Sequence, residues 1–172
     1  MTGVIQSLKE NKITEILPIV SDICIQSENR FSTPEKIKEK LETLTEKEII
    51  DTIAKAEPIG PKNMVDIILV LPCTGNTLAK LAHGITDTPV LMAIKSHIRN
   101  NKPVVIGIST NDGLGANAEN IGRLLNAKNI YFIPFTQDEP QNKPKSIVCD
   151  YSKVVETLKE AMAGKQIQPV LI

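Results

Sequence analysis

The sequence has no tryptophan and only five aromatic residues, Phe31, Tyr131, Phe132, Phe135 and Tyr151. A core without large rings must be aliphatic, and platforms for stacking nucleic-acid bases are scarce. It also lacks an excess of either charge: twenty basic residues balance twenty acidic ones. A nucleic-acid binder rests its affinity on clustered Lys and Arg, so that class is disfavoured. The three cysteines, Cys24, Cys73 and Cys149, are an odd set without a CxxC pair. Neither a disulfide framework nor a metal site is expected from them. No apolar run approaches membrane-spanning length; the best, residues 67–71, is strand-sized. No basic segment followed by an apolar stretch opens the chain, so no secretory signal is visible and the cytoplasm is the default.

What remains suits one soluble globular domain over residues 1–172, large enough to bury a core. The charge is uneven. Residues 1–60 carry a net −3, whereas residues 61–115 carry a net +2 and are rich in Gly, Pro and Thr. A charge-poor middle of this kind suits buried strands and ligand loops. Apolar spacing predicts helices over 2–11, from Pro34 onward, over 77–85, over 89–99, from Asn117 to 127 and over 151–163. Thr45 and Glu48 have the spacing of a capping box for a further helix carrying Ile49, Ile50 and Ile53. The run 58–61, with two prolines and a glycine, reads as an irregular loop. Residues 16–20, 65–71, 104–108 and 130–135 are apolar without polar alternation and read as strands. The tail at 169–172 reads as an edge strand or an oligomer contact. Alternation of helices with such strands predicts a three-layer α/β/α domain, Rossmann- or flavodoxin-like, with a parallel sheet.

In such sheets ligands bind beyond the carboxyl ends of the strands, and two loops lie there. The first is Pro72-Cys73-Thr74-Gly75-Asn76-Thr77. It leaves a strand and enters a helix, bringing hydroxyls, a carboxamide and free N–H groups to the helix start, as an anion or cofactor site requires. A plain helix cap accounts for the same residues. The second loop begins Ser109-Thr110-Asn111-Asp112 and continues Gly113-Leu114-Gly115-Ala116-Asn117-Ala118. With Asp138 it mimics a dinucleotide fingerprint, but residues 109–112 separate its glycines from the strand. It reads instead as a flexible loop over the same pocket. Cys73 has no sequence-adjacent histidine partner and reads as a small buried residue. His83 and His97 read as surface residues.

These segments carry a resemblance. LPCTGNTLAK at 71–80, TDTPVLMA at 86–93, AEPIGPK at 56–62, KPVVIGISTND at 102–112, KNIYFIPF at 128–135 and GKQIQPV at 164–170 together resemble the B-subunit family of bacterial dipicolinate synthases. More distantly the chain resembles the flavin-containing decarboxylases that act on phosphopantothenoylcysteine and on peptide cysteines. In that group a Pro-Ala-Ser-Ala-Asn-Thr segment holds flavin mononucleotide (FMN); here it corresponds to residues 72–77. The resemblance implies an oxidoreductase subunit. It would work with the A subunit of dipicolinate synthase, which itself resembles a nicotinamide-binding dehydrogenase. Together they would oxidise a dihydrodipicolinate-type precursor to pyridine-2,6-dicarboxylate during sporulation. The resemblance also implies FMN contacts from Pro72, Thr74, Gly75, Asn76, Thr77, Ser109 and Thr110, and catalytic positions at Asn76 and Asn111. For the dicarboxylate, Lys62, Lys95 and Arg99 are the candidate cations. The wider family's habit suggests a homo-oligomer.

Two departures stand out. The decarboxylase motif around Asn111 is replaced by Asp112-Gly113-Leu114, and the upstream catalytic histidine has no counterpart. The family's first strand and its Gly-Ser/Thr turn, where the flavin phosphate would sit, also have none: Met1 falls inside the first helix and residues 16–20 match the second strand. The expectation is a start internal to a longer reading frame, with weakened flavin binding. The alternatives are a flavin-dependent decarboxylase and a non-catalytic subunit that stabilises the A subunit.

Overall fold

The computed structural model describes residues 2–13, 15–21 and 33–172; Cys24, Phe31 and Ser32 lie outside them. The sheet forms where the charge-poor middle of the chain supplies apolar runs. β1 (Ile68–Cys73) and β2 (Val104–Thr110) pair in parallel, with Ile68 opposite Val104 and Cys73 opposite Ile108. The register slips between Val70 and Cys73, so β1 carries a bulge at Leu71 and Pro72 just before the loop it feeds. β3 (Ile130–Phe132) lies parallel on the other side of β2. Central β2 is covered from both faces: Val104, Val105, Ile106 and Ile108 are fully buried.

The single strand expected over 130–135 is two. Pro134 has no N–H to give a ladder, and there the chain leaves β2. β4 (Phe135–Gln137) and β5 (Ile147–Cys149) form an antiparallel hairpin, and β5 joins β2 at Ser109 and Thr110. The sheet is therefore mixed, mostly parallel and antiparallel at one corner, rather than wholly parallel. Residues 166–171 finish two further edges. The Gln166 side chain accepts from the Phe132 N–H at 2.7 Å and donates to its carbonyl at 2.7 Å. The tail bridges β4 in parallel, Leu171 opposite Phe135, as an edge segment. No strand pairs with the far edge of β1 among the described residues.

Seven helices are described: α1 (Thr2–Glu10), α2 (Pro34–Thr45), α3 (Ile53–Ala56), α4 (Gly75–Ala82), α5 (Pro89–Ile98), α6 (Asn117–Leu125) and α7 (Val154–Met162). α4 packs on α6, α3 on α5, and α7 against β2 and β3, giving helices around the sheet as expected. A smaller cluster of Ile5, Val20, Leu41 and Ile49 joins α1 to α2.

Three local expectations need correction. Residues 16–20 form no strand beyond one parallel bridge between Ile19 and Ile50. Thr45 caps nothing that follows it: its hydroxyl bonds back to the Leu41 carbonyl at 2.8 Å, and the next helix starts at Ile53 with Thr52 as its cap. That displacement follows from Ile50, whose backbone is used by the bridge to Ile19. Finally, residues 57–59 are a 3₁₀ turn rather than irregular chain.

Candidate functional site

β1 and β2 end side by side, and each hands the chain to a polar loop. After β1, Thr74 is extended and is the N-cap residue of α4, yet its side chain makes no capping bond. Its hydroxyl lies 3.4 Å from that of Thr77. Thr74, Asn76 and the preceding Pro72 are exposed, while Gly75 and Thr77 are half-buried. Leu78, fully buried, anchors the first turn to the core below. Two hydroxyls and a carboxamide thus face outward from a helix start whose N–H groups Thr74 leaves uncapped, an arrangement suited to a polar ligand.

After β2, the Asn111 carboxamide is exposed. Its Oδ1 lies 3.4 Å from the hydroxyl of buried Ser146. That hydroxyl also approaches the Thr110 carbonyl at 3.3 Å and Asp138 Oδ2 at 3.4 Å, pinning the loop to the β4–β5 hairpin. The Asp112 carboxylate accepts from the Thr110 hydroxyl at 2.8 Å and from Asn117 Nδ2 at 2.7 Å. Asn120 in turn donates to Asn117 Oδ1 at 3.0 Å. These bonds, that from Thr110 foremost and then that from Asn117, hold the Asp112 carboxyl below the ordinary carboxylate range. Asn117 is therefore a buried network member; the residue at the cap of α6 is Ala116.

The two loops touch at Gly75. A methyl group there would come within 2.6 Å of both Asn117 Nδ2 and the Thr110 hydroxyl, and within 3.0 Å of Asp112 Oδ1. Only a residue without a side chain allows this approach. The expected contacts Thr74, Gly75, Asn76, Thr77, Ser109, Thr110 and Asn111 are thus brought to one place. The donor set, hydroxyls and carboxamides over a helix start, fits a hydrogen-bonding heterocycle such as a flavin. No residue of either loop is basic, so a phosphate would rest on N–H and O–H donors alone.

The structure does not bring Lys62, Lys95 and Arg99 to that place. Lys62 precedes β1, while Lys95 and Arg99 close α5 just before β2, so all three sit toward the amino ends of the strands. Nor does Cys73 serve as a nucleophile. It is fully buried, and burial, aided by nearby Cys149, pushes its thiol up to about 12. His97 is buried rather than superficial, with Nε2 donating to the Pro103 carbonyl at 3.2 Å. His83 is exposed, 3.5 Å from Arg123. Asp138 faces Ser146 and Lys143, not a nucleotide loop. Sequence reasoning missed Asp112, Asn120 and Ser146 as site-building residues. The one available signal was the density of Asn, Asp and Ser around a strand's end.

A mixed, mostly parallel sheet with two polar loops in contact at the carboxyl ends of β1 and β2 is the architecture of an open α/β domain. A family sequence model, described as "Flavoprotein", matches residues 3–163, and the chain belongs to that family. Within it the chain belongs with the dipicolinate synthase B subunits. It is 47% identical over 162 residues to the B subunit of dipicolinate synthase from Bacillus subtilis (strain 168), covering 94% of this chain and 81% of that protein. The crystal structure of the dipicolinate synthase B subunit from Bacillus halodurans superposes with a TM-score of 0.88 at 44% identity, over 98% of this chain and 87% of that one. A PPC decarboxylase shares the fold alone: TM-score 0.59 at 17% identity, over 92% of this chain and 87% of that one.

Proposed function

We propose that the chain acts as the B subunit of a dipicolinate synthase. With an A subunit that carries the nicotinamide cofactor, it takes part in oxidising a dihydrodipicolinate-type precursor to pyridine-2,6-dicarboxylate in a sporulating cell. FMN binds in the cradle of Pro72, Thr74, Gly75, Asn76 and Thr77 on one side and Ser109 and Thr110 on the other. The observation that carries this is the meeting of the two loops at Gly75, in a chain whose relatives bear that synthase's name. When bound, a flavin supplies a two-electron acceptor. The chain's own part is to bind and orient. Asn76 and Asn111, both exposed at the rim, offer carboxamide N–H donors to ligand oxygens. The buried, protonated Cys73 leaves covalent chemistry through a thiolate out of the scheme. The cations for the dicarboxylate must come from beyond the two loops, because Lys62, Lys95 and Arg99 lie at the other end of the strands. The A subunit or a second copy of this chain supplies them.

The test is a visible absorption spectrum of the purified chain during titration with FMN, followed by dihydropyridine oxidation with the A subunit present. Bound flavin whose spectrum shifts, lost in Asn76→Ala, supports the reading. Unshifted free flavin at every concentration, together with full activity of Asn76→Ala and Asn111→Ala in the complex, would favour a protein that only stabilises the A subunit.

A further inference from the structure

We propose that Asp112 is the positioning residue of the flavin cradle: its carboxylate fastens the loop after β2 against the glycine that begins α4, so that both loops meet the ligand as one rigid body. The inference rests on the flavin reading above and deepens it.

Three observations support it. Asp112 Oδ1 takes two short bonds, from the Thr110 hydroxyl at 2.8 Å and from Asn117 Nδ2 at 2.7 Å. The donors of those bonds, and Oδ1 itself, are the atoms that crowd the missing side chain of Gly75. The Asp112 backbone carbonyl also accepts from Gly115 at 2.8 Å and Asn117 at 3.4 Å, folding the loop back on the residue that organises it. What this arrangement needs at that position is one oxygen that accepts two bonds at once, from the Thr110 hydroxyl and from the Asn117 amide. Its donors are a strand residue, Thr110, and a buried helix residue, Asn117, so their positions are set by the sheet and by α6. Without the carboxylate, the Thr110 hydroxyl and the Asn117 amide turn to water or to each other. The surface on which Gly75 rests then loses its shape. A cradle so loosened binds its ligand less well, since orientation must be restored on binding.

The experiment uses the full chain and compares Asp112→Ala, Asp112→Asn and Thr110→Val with wild type. Asparagine keeps an oxygen at the Oδ1 position and removes only the charge. Amide hydrogen exchange is followed without flavin at Leu78, whose N–H bonds the Thr74 carbonyl at 2.9 Å, and at Ile106 in the sheet as control. FMN is then titrated by fluorescence quenching, with the visible circular dichroism of the bound flavin as a second signal. The expected result for Asp112→Ala is exchange at Leu78 faster by about tenfold with Ile106 unchanged, and FMN binding weaker by about tenfold. The induced dichroism falls as well, and Asp112→Asn restores most of each. Should Asp112→Ala fail to fold, Thr110→Val carries the test, with the same direction at Leu78 and about threefold in size. Wild-type exchange at Leu78 in both Asp112→Ala and Thr110→Val would overturn the proposal. So would an equal loss in Asp112→Asn and Asp112→Ala, since that pattern marks charge rather than position. If no variant and no wild-type chain binds FMN while the exchange pattern appears as expected, the flavin reading fails and the fastening of the loops stands.

Discussion

At the amino ends of β1 and β2, Gly60 is gripped by α5 and the turn after it: its N–H donates to the Ser96 hydroxyl at 3.2 Å and its carbonyl accepts from Asn100. At the carboxyl ends, Gly75 is approached by the side chains of Thr110, Asp112 and Asn117. Both ends use a glycine for close approach, but the partners differ. Around Gly60 the bonds run between side chains and main chain, and Ser96 and His97 are buried. Lys102 adds a bond to the Val65 carbonyl at 2.7 Å, tying the chain entering β2 to the chain entering β1. Around Gly75 the bonds run among side chains, and Thr74, Asn76 and Asn111 remain exposed above them. The first end completes the fold. The second shapes a surface and leaves the Asn76 and Asn111 carboxamides exposed at its rim.

If that contrast is right, substitutions at the two ends should sort oppositely on stability and on binding. The largest stability loss is expected for Gly60→Ala, whose methyl would overlap the Ser96 carbonyl. About 2–3 kcal/mol should be lost in denaturant unfolding, with flavin affinity of the remaining folded protein unchanged. Gly75→Ala should cost less, about 1–2 kcal/mol: its methyl meets side-chain atoms at 2.6 Å rather than a backbone carbonyl at 2.0 Å, but making room for it breaks their bonds to Asp112. Its FMN binding should nevertheless fall steeply; retention of wild-type affinity would mean that the loops need not touch.

A pH series sharpens the comparison. Burial, opposed by the weaker influence of the Pro103 bond, draws the His97 imidazole below its ordinary value of 6.5. The folded protein therefore refuses a proton that the unfolded chain accepts. The contribution of His97 is complete above about pH 6.5 and drains away as pH falls below it. Unfolding of wild type and His97→Gln at pH 7.5 and 5.5 should show the gap between them narrowing in acid; an equal gap at both values would contradict the assignment. The smallest stability effects belong to Asn76→Ala and Asn111→Ala, within about 0.5 kcal/mol, because both side chains are exposed. Flavin binding should be their only casualty, read from the same titration.

Much of this was visible in the residues themselves. α5 was plain because Thr88, Pro89 and an apolar stripe coincide, and Thr88 does accept from Leu91 N–H at 3.2 Å. β2 was plain because residues 104–108 run without a polar side chain, and all five are buried. The cradle was legible as two polar loops leaving apolar strands. The β4–β5 hairpin was not, since three-residue strands carrying Thr136 and Gln137 have no periodicity to detect. Lys62, Lys95 and Arg99 were misplaced for a different reason. Their charge suits a dicarboxylate, but charge says nothing about the end of a strand at which a residue lies. Asp112 escaped notice because its importance comes from Gly75 and Asn117, neither of which is its neighbour in sequence.

Gln166 bears on how the molecule behaves in a crowd. Its carboxamide meets Phe132 as a peptide group would, donor to acceptor and acceptor to donor. One side chain thereby impersonates the next strand at the edge of β3. A chain passing in solution finds that edge already answered, with no N–H or C=O left at Phe132 to recruit it. Most proteins guard such edges with charge or a bulge. Here the guard is one neutral residue, so Gln166→Ala would leave a folded protein with an adhesive margin, prone to self-association at high concentration.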